Sequence, residues 1–287
     1  MSNRSAHLSL DHIGVIVSDL DAAATRWERL GFKLSPLSPQ MGLNAKTGDF
    51  EPWATANRCA VLNKGYLELI GIHRPGLTNP WERFLGRFEG AHIVALRCAS
   101  ADATYPRLAE HCDDFDPPVQ RRRMTPYGDG EREMRFRNIF SRDARVPECR
   151  YIVIEHQTPE VLWQPSLMTH PNGALAITTV TLCANADPDL SMRWHALGAK
   201  EVCGPTSVAL TSGALQRATQ DELAKRFGGI SLTPNALAHC EVAVQDLSKT
   251  SSWLDAQAIS YGRTDTGIWV HPDDANGCII EFTSRED

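Results

Sequence analysis

The 287-residue chain is short of several things. It has no unbroken apolar run of the roughly 20 residues that span a bilayer, so no membrane helix is expected. No basic start leads into an apolar stretch, so no export signal is expected and the setting should be cytoplasmic. A surplus of positive charge is missing too. The formal charge of -6 argues against nucleic acid or a membrane surface as partner. The eight cysteines form no CxxC pair, and a disulfide framework is not expected in a chain this long with no export signal. Cys59, Cys98, Cys183, Cys240 and Cys278 sit in apolar, strand-like runs and read as buried free thiols.

What is present is a repeat. Leu10-Asp11-His12-Ile13-Gly14-Val15-Ile16-Val17 leads into an Ala-rich helical stretch, and Leu237-Ala238-His239-Cys240-Glu241-Val242-Ala243-Val244 does the same downstream. A third copy starts at Gly90-Ala91-His92. A fourth, at Ile177-Thr178-Thr179, has Thr where the others carry His. Each reads as a strand, a turn and a helix. In the first, His12, Gly14 and Ile16 share one face and Ile13, Val15 and Val17 the other. Ser18 or Asp19 caps a helix with an apolar stripe through Leu20, Trp27 and Leu30, and Gly31 stops it. The second helix is expected over Ala101–His111, and the fourth near Asp246. Pro159, Pro165, Pro171 and Gly173 mark a boundary. Two domains follow, 1–165 and 174–287.

Three of these units close on a strand glutamate. Glu68 lies 56 residues after His12, Glu155 63 after His92, and Glu281 42 after His239. Paired imidazoles and carboxylates suit a divalent metal: Zn, Ni, Mn, Co or Fe(II). A free glutamate, Glu68 or Glu155, would move protons. Adjacent strand residues point to opposite faces, so only one of Glu155 and His156 enters such a site, and both remain candidates. Arg135 and Arg137 share a strand face that would hold an anionic substrate, whereas Arg121-Arg122-Arg123 reads as a surface loop. Tyr66, on the face of Glu68, is a further substrate-binding candidate.

The phrases Leu10-Asp11-His12-Ile13, Leu30-Gly31-Phe32, Thr55-Ala56-Asn57-Arg58, Gly65-Tyr66-Leu67-Glu68-Leu69-Ile70, Glu155-His156-Gln157-Thr158-Pro159 and His271-Pro272-Asp273 through Glu281-Phe282 carry a resemblance. The chain resembles the vicinal oxygen chelate superfamily of glyoxalases, bleomycin-resistance proteins and extradiol dioxygenases, and within it the glyoxalase-like domain subgroup. The resemblance implies an α+β fold of four βαβββ modules paired into two half-open β-barrels. Joining modules one and two would bring together His12, Glu68, His92 and Glu155. Joining one and four would bring together His12, Glu68, His239 and Glu281. The implied chemistry is enolate-type proton transfer on a small oxygenated, anionic metabolite, by a metal-dependent lyase, isomerase or epimerase. The alternatives are an Fe(II) extradiol-type dioxygenase and a non-catalytic small-molecule binding protein. No nucleotide cofactor is expected, and a homodimer is compatible with the resemblance.

Overall fold

The computed structural model describes residues 8–43, 47–198 and 207–284. Strand β1 (Ser9–Val17) runs as the alternation requires, and α1 (Leu20–Arg29) follows it. Asp19 caps α1 by accepting from the Ala22 amide at 2.9 Å, and Leu20, Ala23, Ala24 and Trp27 face the core. The first module is completed by β2 (Ser38–Leu43), β3 (Phe50–Val61) and β4 (Tyr66–Ile72). After the short helix α2 (Glu82–Leu85) come β5 (Gly90–Arg97), α3 (Ala101–His111), β6 (Val119–Tyr127), β7 (Gly130–Phe140) and β8 (Arg150–His156). A four-residue helix, α4 (Pro159–Leu162), leads into the second half.

That half comprises β9 (Ala174–Cys183), α5 (Pro188–Ala196), β10 (Ser207–Ala209), β11 (Ala214–Ala218), α6 (Gln220–Arg226), β12 (Ala236–Val244), α7 (Leu247–Ala256), β13 (Tyr261–Arg263), β14 (Gly267–Val270) and β15 (Ile279–Ser284). Modules one and two share an eight-stranded sheet, ordered β2-β3-β4-β1-β5-β8-β7-β6. Modules three and four share a seven-stranded sheet, ordered β10-β11-β9-β12-β15-β14-β13. The fold is therefore α+β, with βαβββ modules paired into two curled sheets. No strand pairing joins module one to module four among the described residues.

One apolar core runs through both halves, from Ile13, Val15 and Trp27 to Val242 and Phe282. Phe32 stacks on Phe282 with ring centroids 5.9 Å apart, and Trp194 donates to the Tyr151 hydroxyl at 2.9 Å. The opposite, concave faces carry smaller clusters. In the first sheet Trp81 and Phe84, from the α2 segment, pack on Ile16, Ile93 and Ile152. Val161 and Leu162 of α4 pack on Cys59, Tyr66 and Met134. In the second, Leu223 of α6 and Phe227 pack on Ala238 and Ile279. The described cysteines are buried and unpaired. No helix among the described residues is long and apolar enough to cross a membrane.

One sequence expectation is corrected here. Arg121-Arg122-Arg123 is not a loop but part of β6, hydrogen-bonded to β7 across a turn at Gly128. Gly128 takes a φ of 57°, a conformation that suits glycine in such a turn. Three successive arginines hide the strand's alternation, because inward and outward positions carry the same residue type.

Candidate functional site

The site grows out of the parallel pairing of β1 and β4. His12 lies opposite Tyr66 and Gly14 opposite Glu68, so His12, Tyr66 and Glu68 project to the concave face within one strand step. The Tyr66 ring stacks on the imidazole of His12, centroids 4.3 Å apart. Nε2 of His12 faces Oε2 of Glu68 at 3.8 Å. The other oxygen of Glu68 accepts a hydrogen bond from the Asn57 amide.

Asp11 organises what surrounds this pair. The β1–β5 register slips between Leu10 and His12, which frees Asp11 from the strict alternation of the strand. Its carboxylate is fully buried and accepts from His12 Nδ1 at 2.8 Å, Arg97 Nε at 2.7 Å and His156 Nε2 at 3.2 Å. Both imidazoles bond the same oxygen, so the rings of His12 and His156 lie side by side. Burial alone would raise the Asp11 carboxyl. The positive charge of His156 and the hydrogen bonds from both rings outweigh it and hold the group well below the usual carboxylate range. Burial pushes the Tyr66 hydroxyl well up, and the charges of Asp11 and Glu68 push it further. Trp163 covers the cluster. Its ring meets His156 edge-on at 5.0 Å and Tyr66 at 5.9 Å, while the Arg97 guanidinium lies over its face at 4.2 Å.

Other candidates lie elsewhere. Glu155 turns to the outer face, where its carboxylate accepts from the Ala101 amide at 2.8 Å and caps the start of α3. His156, its neighbour, is the one that enters the cluster. His92 packs between Phe84 and Phe88 and donates from Nε2 to the Phe88 carbonyl at 2.9 Å. The paired stretch of β5 and β8 runs from Ile93 opposite Arg150 to Arg97 opposite Ile154. His92 precedes that stretch and Glu155 follows it, which separates them by about 20 Å of strand. Arg137 pairs with Asp102 at 2.6 Å and Arg135 is exposed beside Glu133, both on the face away from Met134 and Phe136. Neither arginine reaches the cluster.

His239 and Glu281 repeat the register of His12 and Glu68, since His239 lies opposite Ile279 and Glu241 opposite Glu281. Their site is closed. His239 donates to Glu281 at 3.0 Å and accepts from Thr181 at 2.9 Å. Glu281 also accepts from Arg226 at 2.6 Å and from Thr264 at 2.5 Å, and the Phe227 ring lies 5.1 Å from that of His239. Both partners are wholly buried. Asp11, Asn57 and Arg97 were not singled out from the sequence as parts of the first site. Asp11 and Asn57 do lie within the phrases that carry the family resemblance.

The first cluster's donor chemistry suits a divalent cation in part. His12 meets Asp11 through Nδ1 and turns Nε2 to the Glu68 carboxylate. Two ligand bonds of about 2.1 Å can span such a gap. A carboxylate behind the imidazole is the usual outer support of a metal-binding histidine. His156 adds a second imidazole, although its Nε2 is turned to Asp11. Among the described residues no group of three or more His, Cys, Asp or Glu side chains is placed to hold a metal ion.

Comparison with known proteins agrees with this architecture. The model of the glyoxalase-like domain matches residues 10–198. A hypothetical protein from Staphylococcus aureus superposes with a TM-score of 0.60 at 13% identity, over 97% of this chain and 100% of that one. A mutant of 4-hydroxymandelate synthase from Streptomyces coelicolor gives 0.55 at 10% identity, over 98% and 93%. A fusion of a xylose isomerase-like TIM barrel with 4-hydroxyphenylpyruvate dioxygenase gives 0.53 at 13% identity, over 98% of this chain and 49% of that one. No curated protein matches the sequence. At these identities the superpositions establish the fold alone. The match over more than half of the chain establishes the family: the protein belongs to the glyoxalase-like domain family of the vicinal oxygen chelate superfamily.

Proposed function

We propose that the N-terminal half holds a divalent metal in a two-His, one-carboxylate set of His12, His156 and Glu68, and acts there on a small oxygenated organic compound. The observation that carries this reading is Nε2 of His12 facing Glu68 at 3.8 Å, with Asp11 bound to both imidazoles. That donor set is the one used by non-haem Fe(II) oxygenases, and the ion would supply open positions for substrate and dioxygen. The reading therefore moves from enolate-type proton transfer to the oxygen-dependent alternative. Both four-ligand sets expected from the sequence need residues that lie away from the cluster, His92 and Glu155 in one and His239 and Glu281 in the other.

The chain's own residues have definite work in this scheme. Asp11 fixes the orientation of both rings through their N–H groups. Asn57 holds one oxygen of Glu68 and leaves the other directed at His12. Tyr66 stacks on His12 and keeps its hydroxyl proton, because burial makes the phenolate costly. Trp163 shields the group from water.

The test is elemental analysis and anaerobic Fe(II) titration of wild type beside His12→Ala and His156→Ala, with oxygen uptake measured across a panel of small phenolic and keto acids. One equivalent of iron, lost in both variants, is expected. Iron binding that ignores His12 would overturn the proposal. That no group of three such side chains among the described residues is placed to hold a metal ion favours a second reading, metal-free small-molecule binding. That reading is supported if compounds bind tightly while no divalent ion does.

A further inference from the structure

Beside the His12 cluster a cleft opens between β3, β6 and the α4 segment. Its empty space is about 340 Å³ with the open solvent at its mouth counted in, so a ligand would sit largely at that mouth. Its lining mixes polar residues, Asn57, Arg123 and Thr125, with apolar ones, Cys59, Met134 and Leu162. Asn57 is the link inward, since its amide holds Glu68.

Arg123 is the anomaly of this cleft. Its neighbour Arg122 points the other way and meets Glu133 at 3.6 Å. Arg123 lies opposite Met134 on the concave side of the β6–β7 ladder. Its Nε is buried without a hydrogen-bond partner, and among the described residues no carboxylate pairs with its guanidinium. A buried N–H on a cation is costly to leave unmet. Arginine's planar fork matches a carboxylate in two parallel bonds. The apolar side chains beside it, Cys59, Met134 and Leu162, favour a ligand with a hydrocarbon body over a bare inorganic ion.

We propose that this cleft takes the carboxylate of a small organic acid, with Arg123 as its anchor and the rest of the molecule running past Asn57 towards Glu68 and His12. The inference rests on the proposed function for the identity of the reacting end, but the anion site itself can be measured without turnover. It assigns to Arg123 the role that the sequence pattern had suggested for Arg135 and Arg137.

The experiment is calorimetric titration of the whole chain with benzoate, with benzamide as the uncharged analogue of the same shape, and with inorganic phosphate. Wild type, Arg123→Gln and Arg123→Lys are compared, and metal content is measured in the same samples. Benzoate should bind wild type at least about tenfold more tightly than Arg123→Gln, with Arg123→Lys between them and benzamide indifferent to the substitution. Equal binding of benzoate and benzamide, no binding of benzoate, or phosphate bound in preference to it would each overturn the proposal. If Arg123→Gln fails to fold, the benzoate–benzamide difference and Arg123→Lys decide the matter. Benzoate binding in a protein that takes up no metal would sink the metal reading and leave the anion site standing. Metal uptake without benzoate binding would do the reverse.

Discussion

His12 Nε2 looks at Glu68 Oε2 across 3.8 Å, with no proton donor between them once the other ring nitrogen has given its hydrogen to Asp11. Two lone pairs so placed need a cation, whether a proton or a metal ion, to make the contact favourable. The corresponding pair in the second half, His239 and Glu281, is 3.0 Å apart and satisfied by its own hydrogen bond. Arg226 already supplies positive charge there. The two halves thus share a strand register and differ in whether the pair closes on its own hydrogen bond.

The first prediction concerns Asp11. Asp11→Asn keeps the shape but removes the charge that orients both imidazoles and pairs with Arg97. Metal retention should fall by about 10–100-fold, the usual effect of losing such outer support. Stability should drop by roughly 3 kcal/mol as the partners lose a buried carboxylate. Metal titration and urea denaturation report the two effects separately. Unchanged metal affinity would remove Asp11 from the site.

The second concerns acid. Burial drives the His92 pKa down from 6.5 to about 4, against the opposing bond to the Phe88 carbonyl, and the charges of Arg87 and Arg83 lower it further. A depressed histidine takes up its proton more readily in the unfolded chain. Stability should therefore be lost as pH falls from 6.5 through about 4, by on the order of 3 kcal/mol in total. Asp11, whose folded pKa is also depressed, contributes stability above the ordinary carboxylate range that is lost only as pH falls through and below it. Replacing His92 with Phe should flatten the upper part of this acid slope and leave the lower part. Denaturation curves at a series of pH values check it.

Much of the frame was legible in the sequence. Strand β1 and helix α1 follow from the alternation of Ile13, Val15 and Val17 and from the stripe through Leu20 and Trp27, because burial on one face imposes a period. Counting residues from His to Glu could not reveal register. The β6–β7 hairpin lengthens the second module, and β8 pairs so that Glu155 runs past the end of β5. Asp11 was hidden because a bulge frees it from the alternation that sequence patterns assume. A capping box at Thr219 and Glu222 does announce α6, the helix that ends in Arg226 and leads to Phe227.

The third prediction addresses the closed pair. His239→Ala would leave Glu281 wholly buried without its imidazole donor. The cost should be roughly 3–5 kcal/mol, typical of breaking a buried pair from one side. Arg226 and Thr264 still reach the carboxylate, which places the loss at the lower end. Metal and benzoate binding in the first half should not change. Loss of either one in a folded His239→Ala protein would mean that the two halves are coupled.

The last prediction is a spectroscopic one. Whenever its ring is neutral, His12 should carry its proton on Nδ1, because only a donor there can bond the Asp11 carboxylate. His239 should carry its own on Nε2, facing Glu281, with Nδ1 accepting from Thr181. Nitrogen NMR of protein labelled at histidine separates these tautomers, and the single variants His12→Ala and His239→Ala assign the signals. Added Zn(II), a redox-silent stand-in, should then shift the Nε2 resonance of His12 and leave His239 untouched. In Glu68→Gln the His12 tautomer should persist while the Zn(II) response weakens, since Asp11 sets the tautomer and Glu68 supplies the facing charge. A proton found on Nε2 of His12 instead would point that ring at Glu68 as a hydrogen-bond donor and close the site to a metal ion.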